Sequence, residues 1–178
     1  IIGRIAGSHW NEVMELKNEF PAILGAQGDF PSDWVVDPLK LACIVRIADA
    51  IHIDDRRSPI LLRAIRKLNK ESELHWIFQE KLYKPILKNR KIMFTSKSAF
   101  SIDEASAWWL CYDTLKMIDR EIKNVESLLL EEQKETYGVQ GVYGIDNLQQ
   151  IQQLIKVSGW EPIDAKIQVN NVTKLVKT

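Results

Sequence analysis

The chain has 178 residues, 46% of them hydrophobic, enough for one ordinary globular domain with a real core, or for one with an appendage. Lysine plus arginine and aspartate plus glutamate balance at 24 each, so no long-range field for nucleic acid or a membrane surface is built in. No apolar run reaches the roughly 18 residues that a membrane span needs.

The first helical pattern covers about residues 1–20, with a break around Gly7-Ser8; Ile1, Ile5, Trp10, Val13 and Leu16 follow helical spacing. GAQGDFPSDW reads as a loop, rich in Gly, Pro and Asp. Asp37-Pro38 is a helix start, since Asp caps and Pro at the first helical position loses no hydrogen bond. That helix runs to about Ile53. Ser58-Pro59 repeats the device for a third helix to about Lys70, and a fourth covers about residues 71–82. KIMFTSKSAF is rich in β-formers and predicts a strand or hairpin.

A long helix follows over about residues 103–135, about 50 Å at the usual rise. Its stripe Trp108, Tyr112, Leu115, Ile118, Ile122, Val125, Leu129 is either core contact or a homodimer seam. GVQGVYG is a turn or linker, and residues 146–155 make a short Gln-rich helix. IDAKIQV alternates as a half-buried strand, and Asn170-Asn171 opens a last helix. Cys43 and Cys111 both lie in apolar helical runs and read as buried free thiols of a reducing, cytoplasmic compartment. The chain starts inside a helical pattern and ends in VTKLVKT, a helix start without a stop, so both ends read as cut from a longer protein.

Chemistry concentrates in IVRIADAIHIDDRR, residues 44–57. Apolar residues nearly all round the helix predict burial on most faces, and a carboxylate there needs a partner. Arg46, three residues before Asp49, supplies one as an ion pair. A divalent metal is the other, with Ala48 and Ala50 leaving room for it. His52, one turn on, is a second polar group on that face or a cation at a helix end. His9 is the other polar residue in an apolar setting. Arg56 and Arg57 are a solvated turn, or hold a phosphate by bidentate contacts. The cluster Lys84, Lys88, Arg90, Lys91 reads as the solvated edge of a strand. The sequence has no glycine-rich phosphate loop, no CxxC pair, no HExxH and no nucleophile elbow.

VDPLKLACIVRIADAIHID resembles the last metal-ligand helix of the HD superfamily of metal-dependent phosphohydrolases, in which a helix of the form L-(R/K)-(L/I)-A-D supplies the final aspartate. IIGRIAGSH resembles the helix before it. HWIFQEKLYKP, AWWLCYDTLKMIDREI and GWEPIDAKIQV look like the conserved C-terminal extension of the bacterial HD proteins that lead into a GHKL-type ATP-binding domain.

The resemblance implies a mostly α fold. It comprises the C-terminal part of an HD-type helical bundle (1–82), an extension with hairpin and long helix (83–160), and a lead into a further domain (161–178), with two or three short β-strands in all. It implies Asp49 and His9 as metal ligands for Mn, Fe, Mg or Zn. Arg46, His52, Arg56 and Arg57 become contacts to a nucleotide or other phosphorylated small molecule, and ATP with Mg belongs to the downstream domain. The family's first ligand histidine and its His-Asp dyad are expected upstream of Ile1; no His-Asp dipeptide occurs in the chain. Without that dyad the same fold is a non-catalytic module coupling to the adjacent ATPase.

Overall fold

The computed structural model describes residues 1–26, 28–56 and 70–163. The expected third helix, Arg57, nearly all of the expected strand at 163–169 and the last helix lie outside the described residues. The rest is mostly helical, with two small antiparallel strand pairs.

The amino-terminal segment is more broken than one interrupted helix. α1 (Ile2–Gly7) passes into three-ten turns at Ser8–Trp10 and Val13–Glu15, then α2 (Leu16–Glu19). Buried Ser8 turns its hydroxyl back onto the Ile5 carbonyl at 2.8 Å, a local bond that competes with helix continuation. Asn11 and Glu12 are then extended. Ile5, Val13, Leu16 and Phe20 are buried, but Trp10 is 84% exposed, which corrects its place in the apolar stripe.

The predicted loop 25–34 is framed by a hairpin that the sequence did not reveal. β1 (Leu24–Gly25) pairs with β2 (Val35–Val36), Leu24 opposite Val36, and Phe30 stacks on Trp34 within it. Strands of two residues are too short to show alternation.

α3 (Pro38–Ile51) starts as predicted, with the Asp37 side chain accepting from the Lys40 N–H. Leu39, Ala42, Cys43 and Ile47 pack inward. The opposite face is not buried: Leu41 is 42% exposed and Ile44 46%, and Ala48 and Asp49 are exposed as well. The expectation of burial on most faces is therefore corrected. The packing partners of α3 (α1, α2, the Ser8–Trp10 turn and the long helix) cover one side of it.

α4 (Lys70–Lys81) anchors through Phe78, followed by buried Leu82. β3 (Ile86–Lys88) and β4 (Lys91–Met93) form a hairpin, of which β4 lies in the stretch predicted as a strand or hairpin. Its two-residue turn puts Asn89 and Arg90 at φ 50° and 61°, the left-handed conformation that suits the twist of a tight hairpin. Arg90 gains a bond in exchange, from Nε to the Gly138 carbonyl at 2.8 Å.

A capping box of Ser101 and Glu104 opens α5 (Ala105–Glu131), about 40 Å long. Of its predicted stripe, Trp108, Leu115, Ile118, Ile122, Val125 and Leu129 are fully buried within this one chain, and Tyr112 is partly so. The stripe is thus core contact. The returning chain, ending in α6 (Leu148–Leu154), stitches the hairpin segment to α5. Ile92 donates to the Gly141 carbonyl, Phe100 to that of Lys156, and Val142 donates to the buried Asp119 carboxylate at 2.8 Å. Gly141 is required there: its φ is +109°, and a Cβ would lie 2.1 Å from Asp119 Oδ1.

Candidate functional site

α3 positions the predicted residues, and two separate constellations form along it. The first centres on Arg46. Its Nε donates to Glu121 on α5 at 2.5 Å, and Nη1 donates to the carbonyls of His9 at 2.9 Å and Asn11 at 2.5 Å. The predicted Arg46–Asp49 ion pair is therefore replaced by an Arg46–Glu121 pair. Glu121 reaches Arg46 on a neighbouring helix across the core, and the same arginine fastens the His9 segment to α3. His9 is partly exposed, its Nδ1 lies 2.6 Å from the Ala6 carbonyl, and its ring packs on Trp10.

The second constellation lies at the carboxyl end of α3. His52 caps the helix, and the chain turns into Asp54, whose carboxylate is fully buried. Asp54 accepts from the Arg56 backbone at 3.1 Å and side-on from the Arg56 guanidinium, Nε at 2.7 Å and Nη2 at 2.5 Å. Those bonds hold its carboxyl below the usual carboxylate range, and nearby His52 adds to the effect. Asp55 pairs with Lys97. A pocket of about 390 Å³ opens beside this turn, lined by Ala48, Ile51, His52, Arg56, Lys84 and Pro85. His52 and Arg56 are thus brought together, whereas Arg57 lies outside the described residues.

The depressed pKa of Asp54 carries a stability consequence. Between its folded value and the ordinary unfolded value of about 3.9, the unfolded chain binds the extra proton. Stability from this group is therefore full above about pH 4 and is lost as pH falls through the folded value. Asp54→Asn is expected to lower the melting temperature at pH 7, and the gap to the parent should narrow in scans taken below pH 4. A gap that stayed constant down to pH 2 would show that the charge of Asp54 is not what stabilises the turn.

As a metal centre the described residues fall short. His9 and Asp49 are donors of suitable type, but a zinc site uses at least three protein ligands. Among the described residues no group of three or more His, Cys, Asp or Glu side chains could hold an ion. Burial pushes the Cys43 thiol up to about 11 and the Cys111 thiol up to about 12, so neither is a ready ligand or nucleophile. Among the described residues, no helix is long and apolar enough to cross a membrane.

Sequence reasoning missed Glu121, Asp54 and the joining of Lys84 to this site. The spacing of Asp54 to Arg56, two residues apart after a helix end, was a usable signal for a side-chain-closed turn. Nothing in the sequence pointed to Glu121.

Residues 1–124 match the family model HD-CE, and the chain belongs to that family. No curated protein and no solved structure matches it.

Proposed function

We propose that this chain is part of a metal-dependent phosphohydrolase module acting on a nucleotide or other phosphoester, in a protein that also carries a GHKL-type ATP-binding domain. Asp49 and His9 contribute to a centre for Mn, Fe, Mg or Zn that ligands outside the described residues complete. One observation carries the reading: within the family-matched region, Arg46 fastens the His9 segment to the helix on which Asp49 is exposed. Asp49→Asn in the full-length protein is expected to lower bound metal at least about tenfold, the loss that even an indirect partner of a metal ligand causes. Phosphoester hydrolysis should fall with it. Elemental analysis beside a phosphoester screen checks this, and unchanged metal content and turnover would overturn the assignment.

A second reading, coupling to the ATP-binding domain, is favoured by the ties between α3 and the extension. Besides Arg46–Glu121, Asp37 pairs with Lys134 at 2.6 Å and Lys40 with Glu135 at 3.6 Å, just beyond the end of α5. A helix gripped along its length transmits a displacement of α5 to Asp49.

A further inference from the structure

The pocket at the end of α3 has a wall that the predicted site did not include. Lys84 and Pro85 come from the segment leading into the β3–β4 hairpin, more than thirty residues after Ile51 in sequence. They close a concavity whose other side is His52, Arg56, Ile51 and the small side chain of Ala48. We propose that this pocket is a phosphate-binding subsite: it holds the phosphoryl group of a small phosphomonoester between the Arg56 guanidinium and the Lys84 ammonium. This deepens the phosphohydrolase reading and rests on it for the identity of the natural ligand.

Three features argue for an anion in this place. Arg56 is oriented before any ligand arrives, because buried Asp54 grips its Nε and Nη2 edge and leaves the opposite edge of the fork directed elsewhere. A guanidinium can serve a carboxylate on one edge and a phosphate on the other, since its donors lie in one rigid plane. Lys84 is exposed and adds a compact point charge from the facing wall.

The nearby acidic groups are already paired: Asp54 with Arg56, and Asp55 with Lys97. Asp54 offsets the charge of Arg56, which therefore contributes donors in a fixed plane, while Lys84 contributes the full positive charge that outweighs the partial charge of about half a unit at the carboxyl end of α3. The volume of about 390 Å³ suits a phosphoryl group with a small attached moiety, at the lower end of ligand pockets.

The test uses the 178-residue chain with inorganic phosphate as the probe, in metal-free buffer, followed by amide and His52 ring chemical shifts. Saturable shifts are expected at residues 52–56 and at Lys84. Lys84→Ala should weaken binding about fivefold, the upper range of an exposed ion pair, and Arg56→Ala about tenfold or more. Lys88→Ala, on the neighbouring hairpin and not among the pocket residues, should leave it unchanged.

Because Arg56→Ala strips the buried Asp54 of its partner, the exposed Lys84→Ala variant carries the decision, with thermal midpoints recorded for each. Shifts scattered over the surface would overturn the proposal, as would equal losses in Lys84→Ala and Lys88→Ala. No metal or turnover enters the assay. Phosphate binding at this pocket with no effect of Asp49→Asn on the full-length protein would defeat the phosphohydrolase reading alone. The reverse pattern would defeat the subsite alone.

Discussion

Truncating Trp108 to alanine is expected to destabilise the chain by about 3–5 kcal/mol, the range for a large aromatic removed from a packed core. At this chain length each kcal/mol shifts the melting temperature by about 2–4 °C, so a fall of roughly 6–20 °C should be seen. The ring is fully buried. It stacks on Tyr112 at 5.8 Å between centroids and meets Trp109 and Trp160 edge-on at 5.0 and 5.8 Å. Its Nε1 donates to the Ile155 carbonyl at 2.9 Å, at the end of α6, so one side chain joins α5 to the returning chain in both packing and polar terms.

Trp108→Phe keeps most of the packing and strands that carbonyl, which should cost about 1–3 kcal/mol. Trp10→Ala, at an exposed ring, should stay within about 0.5 kcal/mol. Urea denaturation of the three variants checks the order. If Trp10→Ala cost as much as Trp108→Ala, the division of this chain into core and surface would be wrong.

The second large effect belongs to Arg46. Its side chain is 13% exposed and that of Glu121 20%, so the pair is only partly screened by solvent. Breaking a fully buried pair costs about 3–5 kcal/mol, and partial exposure places Arg46→Ala nearer about 2–3. The His9 and Asn11 carbonyls lose a donor in the same variant. Arg46→Lys keeps the charge but cannot fork between Glu121 and two carbonyls, so it should recover less than half of the loss. A double-mutant cycle with Glu121→Ala should show a coupling of about 1–3 kcal/mol.

Hydrogen exchange separates this from a general loss of stability: amides of residues 8–12 should speed up before those of α5. A cycle with no coupling would release Arg46 to act as the phosphate contact first considered for it. In the full-length protein, a folded Glu121→Gln variant that altered the ATPase rate would support the coupling reading.

What could be read in the sequence and what could not divide along chain separation. The α3 start needed only Asp37 and Pro38, adjacent residues with a local mechanism, and the α5 stripe needed only spacing along one helix. The β4 strand showed in residue type alone. Asp49 was misjudged as buried because composition around a helix does not say which neighbours cover it; Leu41 and Ile44 are apolar and exposed.

Arg46 was paired with the nearest carboxylate on its own helix, whereas a partner 75 residues away in sequence lies closer in space. The candidate site was legible as a set of residue types on one helix and its following turn. Its Lys84 wall, like Glu121, depends on how the extension folds back, which no local pattern encodes.

The two cysteines have a practical bearing on all of these experiments. With thiols at about 11 and about 12, the thiolate fraction at neutral pH is on the order of one in ten thousand or less, and neither sulfur meets solvent. A maleimide dye or spin label offered to the folded protein would pass both by. A single cysteine introduced at an exposed position, such as Lys88 on the hairpin or Met117 on α5, would therefore be tagged selectively without first removing Cys43 or Cys111. The native background is already silent.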